Sequence, residues 1–393
     1  MKKSILLLLV GLFCSGIINA QDTLRMVAMK KSFFHFSVFP PLSTNGKDAK
    51  YYSNDITLSL LVGMSYRENT FALAGLANVI GERANGIQIA GLSNIVGDSG
   101  NGIMLSGLMN FVEDYNGFQA GGLSNVSENM RGIQIGGLGN ISNNMFGLQM
   151  AGLTNIAFTT KGIQFGGLGN ITSMLQGTQV SGIGNISKDM EGLQLSGLMN
   201  FAEDVSGIQL AGLVNIANRV KGIQFAGLVN IADESDYPIG LINLIRNGEK
   251  SIGLTYNEAG SVTASFRSGG RILYGILGLG FNHRADDEPL VFEGGFGAHI
   301  PISARFRINN ELKAQYMTSF SSTSVNHYSL NIQPAFRITP NLEIFAGPSI
   351  NYMTTDNLVN DSMFPGNNIK KDFDNKNLKQ AYFGVSYGLQ WIF

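Results

Sequence analysis

Apolar and polar positions recur between Gly75 and Ile231 in units of 15–16 residues. The consensus is G-[IL]-Q-φ-[AGS]-G-L-x-N-φ, where φ is apolar, followed by five polar-leaning residues, as in Gly132-Ile133-Gln134-Ile135-Gly136-Gly137-Leu138-Gly139-Asn140-Ile141. The closing asparagines are Asn78, Asn94, Asn110, Asn125, Asn140, Asn155, Asn170, Asn185, Asn200, Asn215 and Asn230, spaced 16, 16 and then 15 without exception. Apolar residues hold the second, fourth, seventh and tenth positions. Another falls near the fourteenth, as at Met130, Met145, Leu175, Met190, Val205 and Val220. Burying four or five of these side chains gains about 6 to 12 kcal/mol, against roughly 15 to 30 for ordering fifteen residues of backbone. One unit cannot fold alone, and stacked units can.

Fifteen residues are too few for a helical hairpin, and two or three glycines per unit are costly inside helices. The pattern predicts a β-solenoid of about eleven coils of 15–16 residues, with one short strand over I-Q-φ, a corner at the small-Gly pair and a second strand through L-x-N-φ. Its interior is expected to hold the aliphatic rows and an asparagine ladder repeating every ~4.8 Å. Gln88, Gln119, Gln134, Gln149, Gln164, Gln179, Gln194, Gln209 and Gln224 form either a second ladder or a solvated row. Eleven coils make a rod on the order of 50 Å long. In a rival reading each unit is one transmembrane strand of a large barrel, with Ile87, Ile89, Gly91 and Ile95 toward lipid and Gln88 and Asn94 inside. Two features favour the solenoid. The leucine at position seven would fall on that barrel's polar side, and the five-residue connectors are alike in odd and even units.

From about Ser251 the pattern changes to a period of two. Even positions are apolar or small from Leu290 to Ile300, and again in Phe306, Ile308, Leu312, Ala314 and Tyr316. The phase returns in Tyr328, Leu330, Ile332 and Phe336, then in Leu342, Ile344, Ala346, Ile350 and Tyr352. The final stretch places Phe383, Val385, Tyr387, Leu389, Trp391 and Phe393 on one face. Strands of ten or more residues, aromatics near their ends and short connections such as Thr339-Pro340-Asn341 predict six to eight strands of an antiparallel outer-membrane-type barrel. Asn54 to Tyr66 and Phe33 to Phe39 are candidates for one or two more. Glu293, Arg305, Arg307, Glu311, Lys313, Arg337 and Glu343 then point into a narrow lumen as a mutually paired plug.

The chain opens Met1-Lys2-Lys3, runs apolar from Ile5 to Phe13 and reaches Ala20 before Gln21, the pattern of a secretory signal peptide cleaved near Ala20. This gives four segments: 1–20 a signal peptide, 21–69 N-terminal strands leading into or capping the repeat, 70–245 the solenoid and 246–393 the barrel. The one cysteine, Cys14, lies in the leader, so disulfides, thiolate metal sites and cysteine nucleophiles are not expected beyond it. Net charge is −1, which does not point to nucleic acid or anionic lipid. Only 14% of residues are charged, with 50 Gly and 25 Phe, a composition suited to repetitive β structure.

The tandem units resemble those of an uncharacterised bacterial surface-repeat family found in exported proteins. Phe39-Pro40-Pro41-Leu42-Ser43-Thr44-Asn45-Gly46, followed by Ile56-Thr57-Leu58-Ser59-Leu60-Leu61-Val62-Gly63, is similar to the lead-in of such proteins from Bacteroidetes. The resemblance covers about Phe34 to Leu273. It implies location and architecture, and no activity.

Candidate chemistry is sparse. His35, His283, His299 and His327 are scattered without metal-ligand spacing. No G-x-S-x-G, H-E-x-x-H or P-loop pattern occurs. The pairs Glu113-Asp114, Glu203-Asp204 and Asp233-Glu234 follow the tenth position and read as solvated charge, although parallel solenoids do host polysaccharide-cleaving enzymes. No catalytic residue, cofactor or metal is assigned. The expectation is a non-enzymatic outer-membrane or cell-surface protein, structural or ligand-presenting, with outer-membrane lipid and an envelope glycan or protein as partners. A small-solute pore and a carbohydrate-active enzyme are the alternatives.

Overall fold

A computed structural model describes residues 29–284, 289–319, 324–355, 364–366, 368–374 and 377–393. The expected leader lies outside these residues. The chain builds two all-β units: a parallel stack from Lys30 to Ile245, and a closed antiparallel barrel from Lys250 to Ile392.

The stack is a β-solenoid. Strand Gly139–Ala151 pairs in parallel with Ser124–Gly136 before it and Thr154–Gly166 after it, like residue on like residue. Asn140 lies between Asn125 and Asn155, Met145 between Met130 and Thr160, and Gln149 between Gln134 and Gln164. Each rung has a short strand, as at Gly184–Ile186, and a longer one, as at Asp189–Ser196, with corners between them at 187–188 and at the Gly-Leu pair 197–198. Inside the longer strand the first-position glycine takes a positive φ, +141° at Gly177. A Cβ there would sit 2.0 Å from the Gly162 carbonyl of the rung before. At the Gly-Leu corner a Cβ on Gly137 would come within 1.9 Å of the Gly122 carbonyl. Only glycine lets rungs stack at hydrogen-bonding distance at either place.

The stack begins well before the repeat. Lys30–Phe39 pairs in parallel with Tyr52–Ser59, and that strand with Val62–Ala74. Asn54 to Tyr66 and Phe33 to Phe39 are therefore not barrel strands. They are the first rungs of the solenoid, and eight strands from residue 250 onward close the barrel without them.

Those strands are Lys250–Asn257, Ser261–Gly269, Leu273–Asn282, Leu290–Pro301, Phe306–Thr318, Ser324–Arg337, Leu342–Thr355 and Asn377–Ile392. Each pairs with the next, and Asn377–Ile392 returns to Lys250–Asn257 with Trp391 opposite Ile252, leaving no open edge. Asn368–Asp374 forms a hairpin on the other end of the last strand, pairing with Asn377 to Tyr382. Tight turns at 270–272, 302–305 and 338–341 mark one end of the barrel.

Candidate functional site

Two interiors and the surface around them make up the functional architecture. In the solenoid, each asparagine side chain is fully enclosed and makes a fixed set of bonds. Asn140 Nδ2 donates to Asn155 Oδ1 at 2.9 Å and to the Met150 carbonyl at 2.7 Å, while its Oδ1 accepts from Asn125 Nδ2 at 2.8 Å. The second donor ties the asparagine to the strand entering the next Gly-Leu corner. The column runs unbroken from Asn78 through Asn94, Asn110, Asn125, Asn140, Asn155, Asn170, Asn185, Asn200, Asn215 and Asn230 to Asn243.

The glutamines form a second buried column of opposite polarity. Gln149 Nε2 donates back to Gln134 Oε1 at 2.9 Å, and the series links Gln119 to Gln224. Met104 occupies the glutamine place of its rung, so Gln119 Nε2 meets only its sulfur, at 3.8 Å, and Gln88 Oε1 is buried without a partner. Buried amides are costly unless satisfied. Identical neighbours above and below satisfy them, and an in-register parallel stack supplies those neighbours.

The rest of the interior is narrow. The fifth and eleventh positions carry small residues such as Ala90, Gly136, Ser142 and Ala157. The fourteenth carries Tyr115, Met130, Met145, Leu175, Met190, Val205 and Val220, all buried. The expected burial of the second, fourth, seventh and tenth positions does not occur, apart from Val126 at a tenth position. Ile133 and Ile135 flank the inward Gln134 and point out at 37% and 38% exposure, and Leu138 stands on the corner at 49%. All eleven corner residues of that row, from Leu76 through Ile183 to Leu228, are exposed. Parity is the reason. With Gln at position three and Asn at nine both inward, positions two, four and ten face out, and the corner turns position seven outward as well.

The opposite edge of the rod, at positions twelve, thirteen and fifteen, is mostly polar. Arg219 pairs with Asp204 at 2.7 Å, Arg246 with Asp233 at 3.4 Å, and Lys188 with Glu203 at 3.9 Å. Asn144 donates to Asn129, and Asn129 to Asp114. The acid pairs thus sit on this solvent-facing edge, where Glu203, Asp204 and Asp233 each pair with a cation one rung away. Phe146, Phe158 and Met174 are its apolar exceptions.

The barrel interior holds charge, arranged in two neutral groups of four. In the first, Arg267 meets Glu311 at 2.8 Å and Lys313 meets Glu311 at 3.0 Å and Glu293 at 3.9 Å. Ser265 and Gln315 donate to Glu293, and Tyr274 donates to Glu311. In the second, nearer the tight turns, Arg307 bridges Glu249 at 2.6 Å and Glu343 at 3.0 Å, and Arg337 bridges the same two carboxylates. The other end of the lumen is packed by Val291, Met317, Val325, Met353, Leu378 and Tyr382, with Ala259 and Phe364. His327 is bonded to Gln315 and Asn351, and His299 to Asn309.

Of the expected lumen charges, Glu293, Arg307, Glu311, Lys313 and Glu343 are buried there, and Arg337 is half-buried at the turn end. Arg305 is not in the lumen. It lies exposed in the turn that precedes Phe306–Thr318, where strand alternation no longer sets its direction. Arg267 and Glu249 were missed. Arg267 lies in Ser261–Gly269, whose inward face otherwise carries only Ser261, Thr263 and Ser265. Glu249 lies just before the first barrel strand. Among the described residues, no group of three or more His, Cys, Asp or Glu side chains is placed to share a metal ion.

The solenoid ends on the outer wall of the barrel. Asn243, last of the asparagine column, donates through Nδ2 to the Ser268 carbonyl at 3.0 Å, and its backbone N–H donates to Ser268 Oγ at 2.9 Å. The last corner, Gly240-Leu241, presses on Gly275, where a Cβ would lie 2.0 Å from the Gly240 carbonyl. Leu241 reaches Gly294 at mid-strand, beside Leu277, Phe292 and Phe296.

No protein-family profile matches the chain. No curated protein matches it. Among solved structures, a chain described as "De novo design of transmembrane beta-barrels" is similar at 15% identity, over 37% of this chain and 93% of that chain, with a TM-score of 0.23, a likeness too slight to carry an inference.

Proposed function

We propose that this protein is a non-enzymatic outer-membrane protein whose barrel anchors a rigid, amide-cored rod in the envelope. The observation that carries the reading is the barrel's distribution of polarity. Its lumen is filled by neutral ion-pair groups and an apolar plug. Its outer wall is continuously apolar, with Leu254, Leu279, Phe292, Leu312, Leu330, Ile350, Leu389 and Trp391 all exposed. A wall of that kind is at home in hydrocarbon, and eight strands leave an interior that side chains fill. The leader-like start and the resemblance of the repeat to bacterial surface-repeat proteins favour the same compartment.

The rod's solvent-facing edge is the part suited to meet an envelope glycan or protein, because it repeats amide, hydroxyl and charged side chains at rung spacing. Three of its carboxylates, Glu203, Asp204 and Asp233, are ion-paired to neighbouring rungs, which favours binding over turnover. Planar-bilayer recording with the purified protein tests the anchor against the pore. An anchor inserts and leaves the bilayer silent. Stable unitary conductance that persists at saturating insertion would replace this reading with a small-solute pore.

A further inference from the structure

The rod's apolar rows pose a problem that the barrel alone does not. Positions two, four, seven and ten run side by side along the whole stack and wrap both faces of the Gly-Leu edge. Over a rod of about 50 Å and two flanks of about 15 Å each, the patch is on the order of 1,500 Å². Soluble monomers rarely expose more than about 300–600 Å² in one patch. Something apolar must cover it.

The junction indicates what does. The last rung runs down the flank of the barrel with a fixed orientation. Its apolar corner, Leu241, lies against Gly294 at mid-height, among the outward residues Leu277, Phe292 and Phe296. Its polar end, Asn247 to Glu249, lies at the tight-turn end, where Gly248 abuts the Gly269 carbonyl and Glu249 joins Arg307 and Arg337. Because the rungs stack in strict register, every corner leucine lies on a row that ends at Leu241. Every polar edge continues the row that ends at the turn-end rim. The apolar edge of the rod is therefore continuous with the apolar wall of the barrel. Each apolar arm is about five residues, or about 15 Å, half of a hydrocarbon core of about 30 Å.

We infer that the solenoid lies along the membrane as a wedge, its Gly-Leu edge sunk among the acyl chains of one leaflet on the tight-turn side of the barrel, and its charged edge in water. The inference rests on the barrel being membrane-embedded. Lipid acyl chains are the occupant because they cover both flanks and the corner at once, at the level where they already meet the barrel. A polar rod edge and an interior of amide columns suit such a place, since between neighbouring rungs the backbone groups pair with each other and do not face hydrocarbon.

The chain's one tryptophan, Trp391, faces outward from the last barrel strand and serves as an internal reference. The full-length protein is reconstituted in phosphatidylcholine vesicles carrying brominated acyl chains. Three proteins are compared: the native chain, Trp391→Phe with Leu138→Trp on the apolar corner, and Trp391→Phe with Asn143→Trp on the polar edge. Leu168→Trp, on the same corner row, is a second reporter should Leu138→Trp misfold. The corner tryptophan, on a row that ends at mid-height, should be quenched at least as strongly as Trp391 near the turn-end rim, and the polar-edge tryptophan should be quenched by aqueous iodide instead. A quenched Trp391 beside a corner tryptophan open to iodide would place the rod in water and overturn the inference alone. A corner tryptophan shielded from both quenchers would mean that protein, such as a second copy, covers the edge, and would also overturn it. An unquenched Trp391 would sink the membrane reading and this inference together.

Discussion

Asn170 shows how much one side chain carries. Its Nδ2 donates to Asn185 Oδ1 at 2.9 Å and to the Val180 carbonyl at 2.8 Å, and its Oδ1 accepts from Asn155. Asn170→Ala leaves a buried donor and two buried acceptors unpaired, each a loss of about 1 to 3 kcal/mol. The expected result is a drop of at least about 3 kcal/mol in unfolding free energy, read from the denaturant midpoint. Glu68 is a different case. It is buried in the third rung, accepting from Asn54 and Thr57, and burial pushes its carboxyl up to about 7 against those hydrogen bonds. The folded state therefore binds this proton more tightly than the unfolded chain. The stability it confers is complete below the ordinary carboxylate value and is lost as pH rises through about 7. Glu68→Gln should keep its thermal midpoint between pH 5 and 8 where the native protein declines, a difference of up to roughly 3 kcal/mol at the upper end.

At the scale of the rung, the sequence showed the stacking and concealed the facing. The fifteen-residue period, the corner at the small-Gly pair and the inward asparagine column are legible, because eleven copies in phase leave little freedom for the backbone, whereas the positive φ at the first-position glycine is not. The rule that apolar residues are buried sends the aliphatic rows inward, and it fails here because the narrow interior is already filled by the Asn and Gln columns and the fourteenth-position side chains. The large-barrel alternative had Ile87, Ile89 and Ile95 facing out and Gln88 and Asn94 facing in, which is the facing found. It was set aside because Leu at position seven broke the alternation, and the corner is what removes that conflict. Arg267 was hidden for a related reason, since one charge on an otherwise Ser/Thr strand face gives no pattern. The Gln column offers a test at this scale. Met104 sits between Gln88, whose Oε1 lacks a partner, and Gln119, whose Nε2 meets only sulfur. Met104→Gln should complete two hydrogen bonds and raise stability by about 1 kcal/mol, measured as a higher denaturant midpoint and slower amide exchange in the rungs around residues 88–119.

For the whole molecule, one division of polarity recurs in both units: amide columns or ion-pair groups are bonded inside beside a smaller apolar core, and rows of aliphatic side chains face out. In the barrel, Glu311 alone neutralises Arg267 and shares Lys313 with Glu293. Glu311→Ala strands a buried guanidinium, and the expected cost is about 3 to 5 kcal/mol, seen as an earlier barrel unfolding transition in detergent with the solenoid transition unchanged. The inverted facing of the rod is the claim on which the rest depends, and thiol labelling tests it most directly. In a Cys14→Ser background the chain has no other cysteine, so Leu138→Cys, Met145→Cys and Asn143→Cys each give a single reporter on the corner, interior and polar edge of one rung. In detergent, a small apolar maleimide should modify Leu138→Cys and Asn143→Cys readily and leave Met145→Cys untouched until the protein is denatured. Protection at Leu138→Cys with free reaction at Met145→Cys would contradict the account, because it would put the leucine row back in the core.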